Sequence, residues 1–421
     1  MVFSEEQTLC DAISKDFGKP YLESFTSEIF TVLHEIDHHI DHLNSWMKAV
    51  RVPDSIATFP SRSSVTPKPL GTVLIIGAWN YPIHLTLMPL IGALSAGNTV
   101  ILKPSEIASE TSAVLASLFN TYIDPEIVTV VEGGADVTEE LLLLPFDHLF
   151  FTGSTRVGKI IMKAAAEQLV PVTLELGGKS PAIVHKDADI AVSARRIWWG
   201  KTMNAGQICV APDFAAIHES VYDSFIEASK KTLSQFFRED YQVGENYTQI
   251  INLHHFDRLC TLMDASSVIF GGTCNRQTRF IEPTMVASDW GEAIMQEEIF
   301  GPVLPLIRYR TQEELAGQLL RMSTPLALYL FTGSKPFIHY ITQNVPFGGG
   351  CINDTISHLA NPSLPFGGVG KSGMGAYHGK TSFDTFSRKQ SLLRKSFWPD
   401  PDLRYPPYGK NLVTWIRTLI R

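Results

Sequence analysis

Between Ile29 and Met47 the apolar residues Ile29, Leu33, Ile36, Ile40, Leu43 and Met47 fall at alternating spacings of four and three. That is the period of an amphipathic helix with one apolar stripe. From Leu70 the texture changes. "GTVLIIGAW" reads as a buried strand, "LTLMPLIGALSAG" as a helix ending at Gly97, and "NTVILKPSE" as a second strand and turn. Strand, helix and strand over this distance predict a parallel βαβ unit. The alternation continues through "IVTVVEGG", "HLFFTGS", "RVGKIIMKAAAEQL" and "VTLELGG", which predicts a doubly wound sheet. A second alternating region, "SPAIVH", "DFAAIH", "LPLIRY" and "LALYLFTG", predicts a second α/β domain. No solenoid period and no low-complexity tract interrupts it.

No formally charged residue occurs between Lys68 and Lys103, so hydropathy alone reads this stretch as a membrane span. Pro82, Pro89, Asn80, Asn98 and four glycines punctuate it. Breakers at that density fit strands and helices inside an α/β core, not one lipid-facing helix.

The chain of 421 residues is 44% apolar and 19% charged, which describes a folded protein with room for two or three cores. Its formal charge of -8 comes without a basic face for a phosphate backbone, which excludes nucleic acid as a partner. Five cysteines, an odd number with no C-x-x-C pair, argue for a reducing compartment and against bridges or zinc ribbons. The first twenty residues carry acidic side chains and no apolar core flanked by basic ones, so no signal or transit peptide is expected. The cytoplasm is the simplest assignment.

Three motifs invite a metal or phosphate reading. "HEIDH" (34–38) matches H-E-x-x-H, in which two histidines bind zinc and the glutamate acts as base. The apolar stripe of its helix is complete without these residues, and no downstream ligand motif follows, so a solvated polar face is preferred and no metal is expected. "GGVGKSGMG" contains G-x-G-x-x-G at Gly368, Gly370 and Gly373. Pro365 stands where a P-loop needs its first glycine and no apolar strand leads in, so a tight connecting loop is expected. "GSTRVG" (153–158) differs, because it follows a strand and opens a helix. Ser154 or Thr155 can cap that helix, and backbone N–H groups at its start can seat a phosphate.

Ligands of open parallel sheets collect at the carboxyl ends of the strands. Those ends are Trp79-Asn80, Lys103 to Glu106, Thr152 to Ser154 and Glu175 to Gly178, and one crevice can hold all four. A further stretch, "MNAGQICVAP" (203–212), surrounds Cys209 with small and amide residues.

Taken together, "WNYP", "KPSE", "FTGSTRVG", "LELGGKSP", "NAGQIC", "EEIFGPV" and "PFGGVGKSGMGAYHGK" resemble the NAD(P)-dependent aldehyde dehydrogenases. The ordered set covers about residues 20 to 408, and "YHGKTSFDTFS" with "LRYPP" is most similar to the class 3 branch, which acts on fatty and aromatic aldehydes. The resemblance implies an α/β fold with a Rossmann-like cofactor domain (1–50 and 70–176), an α/β catalytic domain (177–372), and a small β oligomerisation arm with a C-terminal tail (51–69 and 373–421).

It also implies a chemistry. Cys209 would attack the aldehyde, with the Asn80 amide and the Cys209 N–H holding the oxyanion. Glu175 would activate water against the resulting thioester. NAD or NADP would bind through Lys103 and Glu106 at the adenosine ribose, the Gly153-Ser154-Thr155 turn with Gly158 near the pyrophosphate, and Glu298 with Phe300 at the nicotinamide ribose. Glu106 should repel a 2′-phosphate and favour NAD. Taken singly, Cys10, Cys209, Cys260, Cys274 and Cys351 each read as buried small hydrophobes; the motif reverses this for Cys209 only.

The resemblance further implies a homodimer. The chain departs from the branch where only about twenty residues precede "KPYLESFTSEIF", and where Phe386-Ser387-Arg388 replaces the common "FSH". The final "GKNLVTWIRTLIR" is amphipathic and too short to span a bilayer. Packing onto the body or a subunit partner is expected of it, with membrane contact through Leu412, Trp415, Ile416, Leu419 and Ile420 beside Lys410, Arg417 and Arg421 as the alternative. Two readings oppose the enzyme: an impaired relative kept for binding or scaffolding, and a zinc hydrolase built on "HEIDH".

Overall fold

The uncharged stretch after Lys68 folds as its pattern predicts. Thr72–Ile76 and Thr99–Lys103 are adjacent parallel strands joined through the helix His84–Ser95, whose residues are almost all buried. A computed structural model describes the chain except residues 238–240, 242, 401, 410–412, 414–416 and 419–421. No helix among the described residues is long and apolar enough to cross a membrane. The tail positions expected to touch a membrane or partner lie outside the described residues, apart from Arg417.

The first sheet has six strands in the order Gly373–Met374, Val172–Glu175, His148–Thr152, Thr72–Ile76, Thr99–Lys103 and Val128–Val130. All run parallel except the short Gly373–Met374 strand. The second sheet has seven: Ser267–Phe270, Thr284–Ala287, Val303–Tyr309, Phe214–His218, Pro181–Val184, Ala327–Phe331 and Gly349–Ile352. Only Ser267–Phe270 is antiparallel there. Helices cover both, and continuous Val, Ile and Leu runs sit where strands are buried on both faces. The fold is α/β, as the alternation predicts. A third, antiparallel sheet of Val50–Val52, Ser61–Pro69 and Ser387–Lys395 projects from it. Residues 373–386 lie against the first sheet, where Asn98 Nδ2 donates to the Phe386 carbonyl at 2.9 Å.

One expectation fails on the helix Phe30–Trp46. The apolar stripe packs against the core through Ile29, Leu33, Ile36 and Leu43, but Ile40 and Met47 are exposed, and Val32, Glu35 and His39 are buried as well. Glu35 is therefore not part of a solvated face. Its Oε1 accepts the Gly379 N–H at 2.6 Å and faces His39 Nε2 at 3.2 Å, while His39 Nδ1 meets Ser95 Oγ at 2.9 Å. A buried carboxylate is stable only when its lone pairs are met, and here it ties this helix to two distant segments. No group of three metal-ligating side chains occurs among the described residues.

Candidate active site

The four strand ends singled out from the sequence do meet. Thr99–Lys103, Thr72–Ile76, His148–Thr152 and Val172–Glu175 are consecutive neighbours, so Lys103, Asn80, Ser154 and Glu175 follow adjacent parallel strands at one edge of the sheet. Cross-links hold this edge: Gly77 donates to the Lys103 carbonyl and Gly153 to the Glu175 carbonyl, each at 3.0 Å.

Cys209 reaches this edge on a loop with an unusual backbone. Asn204, Ala205 and Gly206 have φ of 48°, 50° and 74°, three successive residues in the left-handed region. An alanine there costs about 1–2 kcal/mol, and such strain persists only where the surroundings over-determine it. They do. Asn204 N–H donates to Glu23 Oε1 at 2.6 Å, and Asn204 Nδ2 to the Asn80 carbonyl at 2.8 Å and the Gln207 carbonyl at 3.1 Å. Gln207 donates to the carbonyls of Asn204 and Gln249 at 3.0 and 3.1 Å and accepts the Ile251 N–H at 3.0 Å. A Cβ at Gly206 would lie 2.3 Å from the Gly301 carbonyl oxygen, so this position has no room for any side chain.

Asn80 joins the same network, its Nδ2 donating to the Gln207 carbonyl at 3.0 Å. The amide has two hydrogens, and this bond fixes one of them. The Asn80 carbonyl lies 3.5 Å from Lys19 Nζ, itself paired with Glu28 at 2.6 Å with both side chains fully buried.

Glu175 is 3% exposed, and neither carboxylate oxygen has a hydrogen-bond partner. Desolvation alone pushes its carboxyl well above the ordinary value. Burial also pushes the Cys209 thiol well up, with Glu298 and Glu175 adding negative charge nearby, while the N–H groups of Cys209 and Val210 pull the other way. Glu298 is raised to about 8 by burial and by Asp213, against the Gly178 N–H, Lys179 and Arg258. Three acidic groups thus share one poorly solvated space, and the two carboxyl groups make the Cys209 thiol harder to ionise. An orphaned buried carboxyl beside a thiol is the pattern of a functional site.

Glu298 lies directly over the Glu175 turn, since a Cβ on Gly177 would come within 1.9 Å of its Oε2. Phe300, two residues on, has φ of 51° and stands edge-on to Trp79 at 5.4 Å between centroids. A cleft of about 930 Å³ opens here, lined by Thr155, Gly177, Gly178, Glu298 and Lys371 among others.

The remaining expected residues fit a dinucleotide. Lys103 is 2% exposed, its Nζ 2.9 Å from Glu106 Oε2 and 3.2 Å from the Pro104 carbonyl; it is not a surface charge. Such an acceptor beside a donor suits a ribose diol. Ser154, not Thr155, caps the helix Thr155–Glu167 by accepting the Val157 N–H at 3.3 Å. Thr155 Oγ1 instead donates to the Lys371 carbonyl at 3.0 Å. Gly158 packs against Leu176, where a Cβ would meet Leu176 Cδ2 at 2.7 Å. The glycine run after Pro365 is a connecting loop, as expected: it closes on itself at Gly370 and Gly373, and Gly373 pairs with Glu175.

Several supporting residues escape sequence reasoning. Lys179 pairs with Asp213 and donates to the carbonyls of Ile294 and Glu297 at 3.1 and 2.8 Å, while Asp213 Oδ1 accepts the Ile299 N–H at 2.9 Å. Arg258 donates to the Glu298 carbonyl at 3.4 Å, and His255 lies tilted against Trp79 at 5.2 Å between centroids. Together they hold the Glu298 turn. Lys179 stands inside a recognisable motif; Arg258 and His255 sit on an ordinary helix, with nothing in the sequence to mark them.

Comparison with known proteins identifies the family. The family model described as "Aldehyde dehydrogenase family" matches residues 1–392. Aldehyde dehydrogenase family 3 member A2 of Pongo abelii is 44% identical over 99% of this chain and 86% of its own length. The dimeric NADP-preferring aldehyde dehydrogenase of Rattus norvegicus is 45% identical over 97% and 90%. A solved structure titled as the substrate-bound state of Staphylococcus aureus AldH superposes with a TM-score of 0.97 at 44% identity, covering 100% of this chain and 92% of that one.

Proposed function

Because the chain belongs to the aldehyde dehydrogenase family, with close likeness to its class 3 branch, we propose that Cys209 is the nucleophile with which it oxidises aldehydes to carboxylic acids. The enzyme uses NAD or NADP. The observation that carries the assignment of roles is the Glu175 carboxyl, buried with both oxygens unpartnered beside the Cys209 thiol.

The Cys209 thiolate adds to the aldehyde carbon and gives a thiohemiacetal. Its oxyanion takes the second amide hydrogen of Asn80, the first being held by Gln207, together with the Cys209 N–H. When bound, the cofactor supplies a positively charged ring that favours the thiolate and accepts the hydride leaving the substrate carbon. A thioester then remains on Cys209. Glu175 takes a proton from water as that water attacks the thioester, the acid departs, and the thiolate is restored. Burial makes Glu175 a reluctant anion and so raises its affinity for the proton it takes from water.

Lys103 and Glu106 would hold the adenosine ribose, the Gly153-Ser154-Thr155 turn with Gly158 the pyrophosphate, and Glu298 with Phe300 the nicotinamide ribose. The preferred substrate is a fatty or aromatic aldehyde, on likeness to class 3. The active form is a homodimer, supported by the relative named as dimeric and by Leu392 and Leu393, exposed on the projecting sheet. Five free thiols support the cytoplasm as its compartment.

The test is nicotinamide reduction with a panel of aliphatic and aromatic aldehydes. Turnover by the intact chain and none by Cys209→Ala is expected. Turnover that survives Cys209→Ala would move the nucleophile elsewhere.

A further inference from the structure

Away from the active site, two further thiols come together. Cys260 lies on the helix Leu253–Asp264, and Cys274 begins a two-stranded hairpin of Cys274–Asn275 with Phe280–Ile281. The two thiols are within hydrogen-bonding reach of each other. Neither fits the expectation of an isolated buried hydrophobe: Cys260 is half-buried and Cys274 is exposed.

An ion pair joins the same two segments. One helical turn before Cys260, Asp257 takes both Nε and Nη2 of Arg276 at 2.9 Å. Residues 257 and 260 share a helix face, and residues 274 and 276 are two positions apart, in the first strand of the hairpin and at the start of its turn. The ion pair and the thiol pair are therefore parallel links between the same two elements. Gly271 and Gly272, with φ of 80° and 98°, turn the chain into this position, and Cys274 Sγ also reaches the Gly272 carbonyl at 3.8 Å.

We propose that Cys260 and Cys274 form a reversible disulfide, a redox modification site that a hydroperoxide closes and a thiol reductant opens. The Cys260 thiolate attacks the O–O bond of hydrogen peroxide and becomes a sulfenic acid, releasing hydroxide, which takes up a proton to leave as water. Cys274 then attacks that sulfur, its proton leaving with the sulfenic hydroxyl as a second water. Two thiols lose two electrons and two protons, and one peroxide becomes two waters. Burial raises the Cys260 thiol and the Cys274 S–H pulls it back, whereas burial and Cys260 both push Cys274 up, to about 12, so Cys260 is the first of the two to react. The exposed Cys274, on a two-residue strand, is the partner that moves to close the bond.

The link has a route to the active site. The Cys260 helix carries His255 beside Trp79, Arg258 on the Glu298 carbonyl, and Leu259, whose side chain fills the space against Gly301. Fixing its far end to the hairpin restrains the element that holds the Glu298 turn.

The experiment treats full-length Cys209→Ser protein, in which the catalytic thiol cannot interfere, with one equivalent of hydrogen peroxide and maps peptides by mass spectrometry. The expected result is loss of two hydrogens in a cross-linked peptide joining the segments of Cys260 and Cys274, restored by dithiothreitol. Cys260→Ser and Cys274→Ser in the same background should each abolish it, with thermal unfolding unchanged from the reduced parent to show that both fold. Peptides found only as unlinked thiols or over-oxidised acids would overturn the proposal, as would a link between either residue and Cys10 or Cys351.

Discussion

Asn80 and Gln207, 127 positions apart, are joined by a 3.0 Å bond from the Asn80 side-chain amide to the Gln207 carbonyl. One residue follows the strand Thr72–Ile76 of the parallel sheet and the other sits two positions before the reactive thiol, so the bond fixes both the plane of the amide and the place of the sulfur. Truncation to Asn80→Ala removes an oxyanion donor and should lower kcat by about 10²–10³-fold. Alkylation of Cys209 by iodoacetamide separates this from a displaced loop. An unchanged alkylation rate with the full kinetic loss supports the donor role; a matching change in both would make Asn80 a positioning residue.

Glu175 acts, on this mechanism, after the oxidation step. Glu175→Gln is nearly isosteric and removes the base while leaving the thiol and its oxyanion donors in place. Rapid mixing should show a burst of reduced cofactor of about one equivalent per active site followed by slow turnover. Equal loss of burst and steady rate would assign the base to another group.

Much of this was legible in the sequence, for a physical reason. Strands buried on both faces show as uncharged apolar runs, so Thr72–Ile76, Thr99–Lys103 and their neighbours stand out, and with them the strand ends that carry the site. What failed was information held between segments. Periodicity shows the apolar stripe of the helix Phe30–Trp46 but not its buried polar side, which is set by the Gly379 N–H and Ser95, partners that satisfy Glu35 and His39 from far away in the chain. The left-handed turn at Asn204 and Ala205 was equally hidden, because Ala205 has no intrinsic reason to adopt it and Glu23, which holds it, lies 181 positions from Asn204. Cys274 read as buried on base composition alone and is exposed.

Stability should depend on pH through Glu298. Its folded value of about 8 lies above the ordinary 4.5. Below about pH 4.5 the group is protonated folded and unfolded alike, and its contribution is fully present. As pH rises towards 8 the unfolded chain releases this proton and the folded chain does not, so folding weakens; above the folded value the loss is complete. Glu175 acts with the same sign. The cofactor-free enzyme should therefore show a fall in unfolding temperature from about pH 5 to about pH 8.5 that Glu298→Gln flattens. A parallel pH profile in the variant would remove Glu298 from the account.

Beneath Asn80 lies the buried pair Lys19 and Glu28. The ammonium, 2.6 Å from Glu28 Oε1, also stands over Tyr81 at 4.1 Å and Phe17 at 5.0 Å, while Glu28 Oε2 accepts the Ile83 N–H at 2.9 Å. Removing one charge strands the other in a medium that cannot solvate it, so Lys19→Met should cost about 3–5 kcal/mol in urea unfolding. Adding Glu28→Gln removes the stranded charge and keeps an acceptor for Ile83, so the double variant should be more stable than Lys19→Met alone. If the second substitution instead deepens the loss, the carboxylate contributes chiefly through its backbone bond and not through Lys19. Either way kcat reports on the same contact, because Lys19 touches the Asn80 carbonyl at 3.5 Å beside the 2.8 Å bond from Asn204 Nδ2: the double variant can regain stability, but the carbonyl keeps only the Asn204 donor, and a small kinetic defect should remain after the fold has recovered.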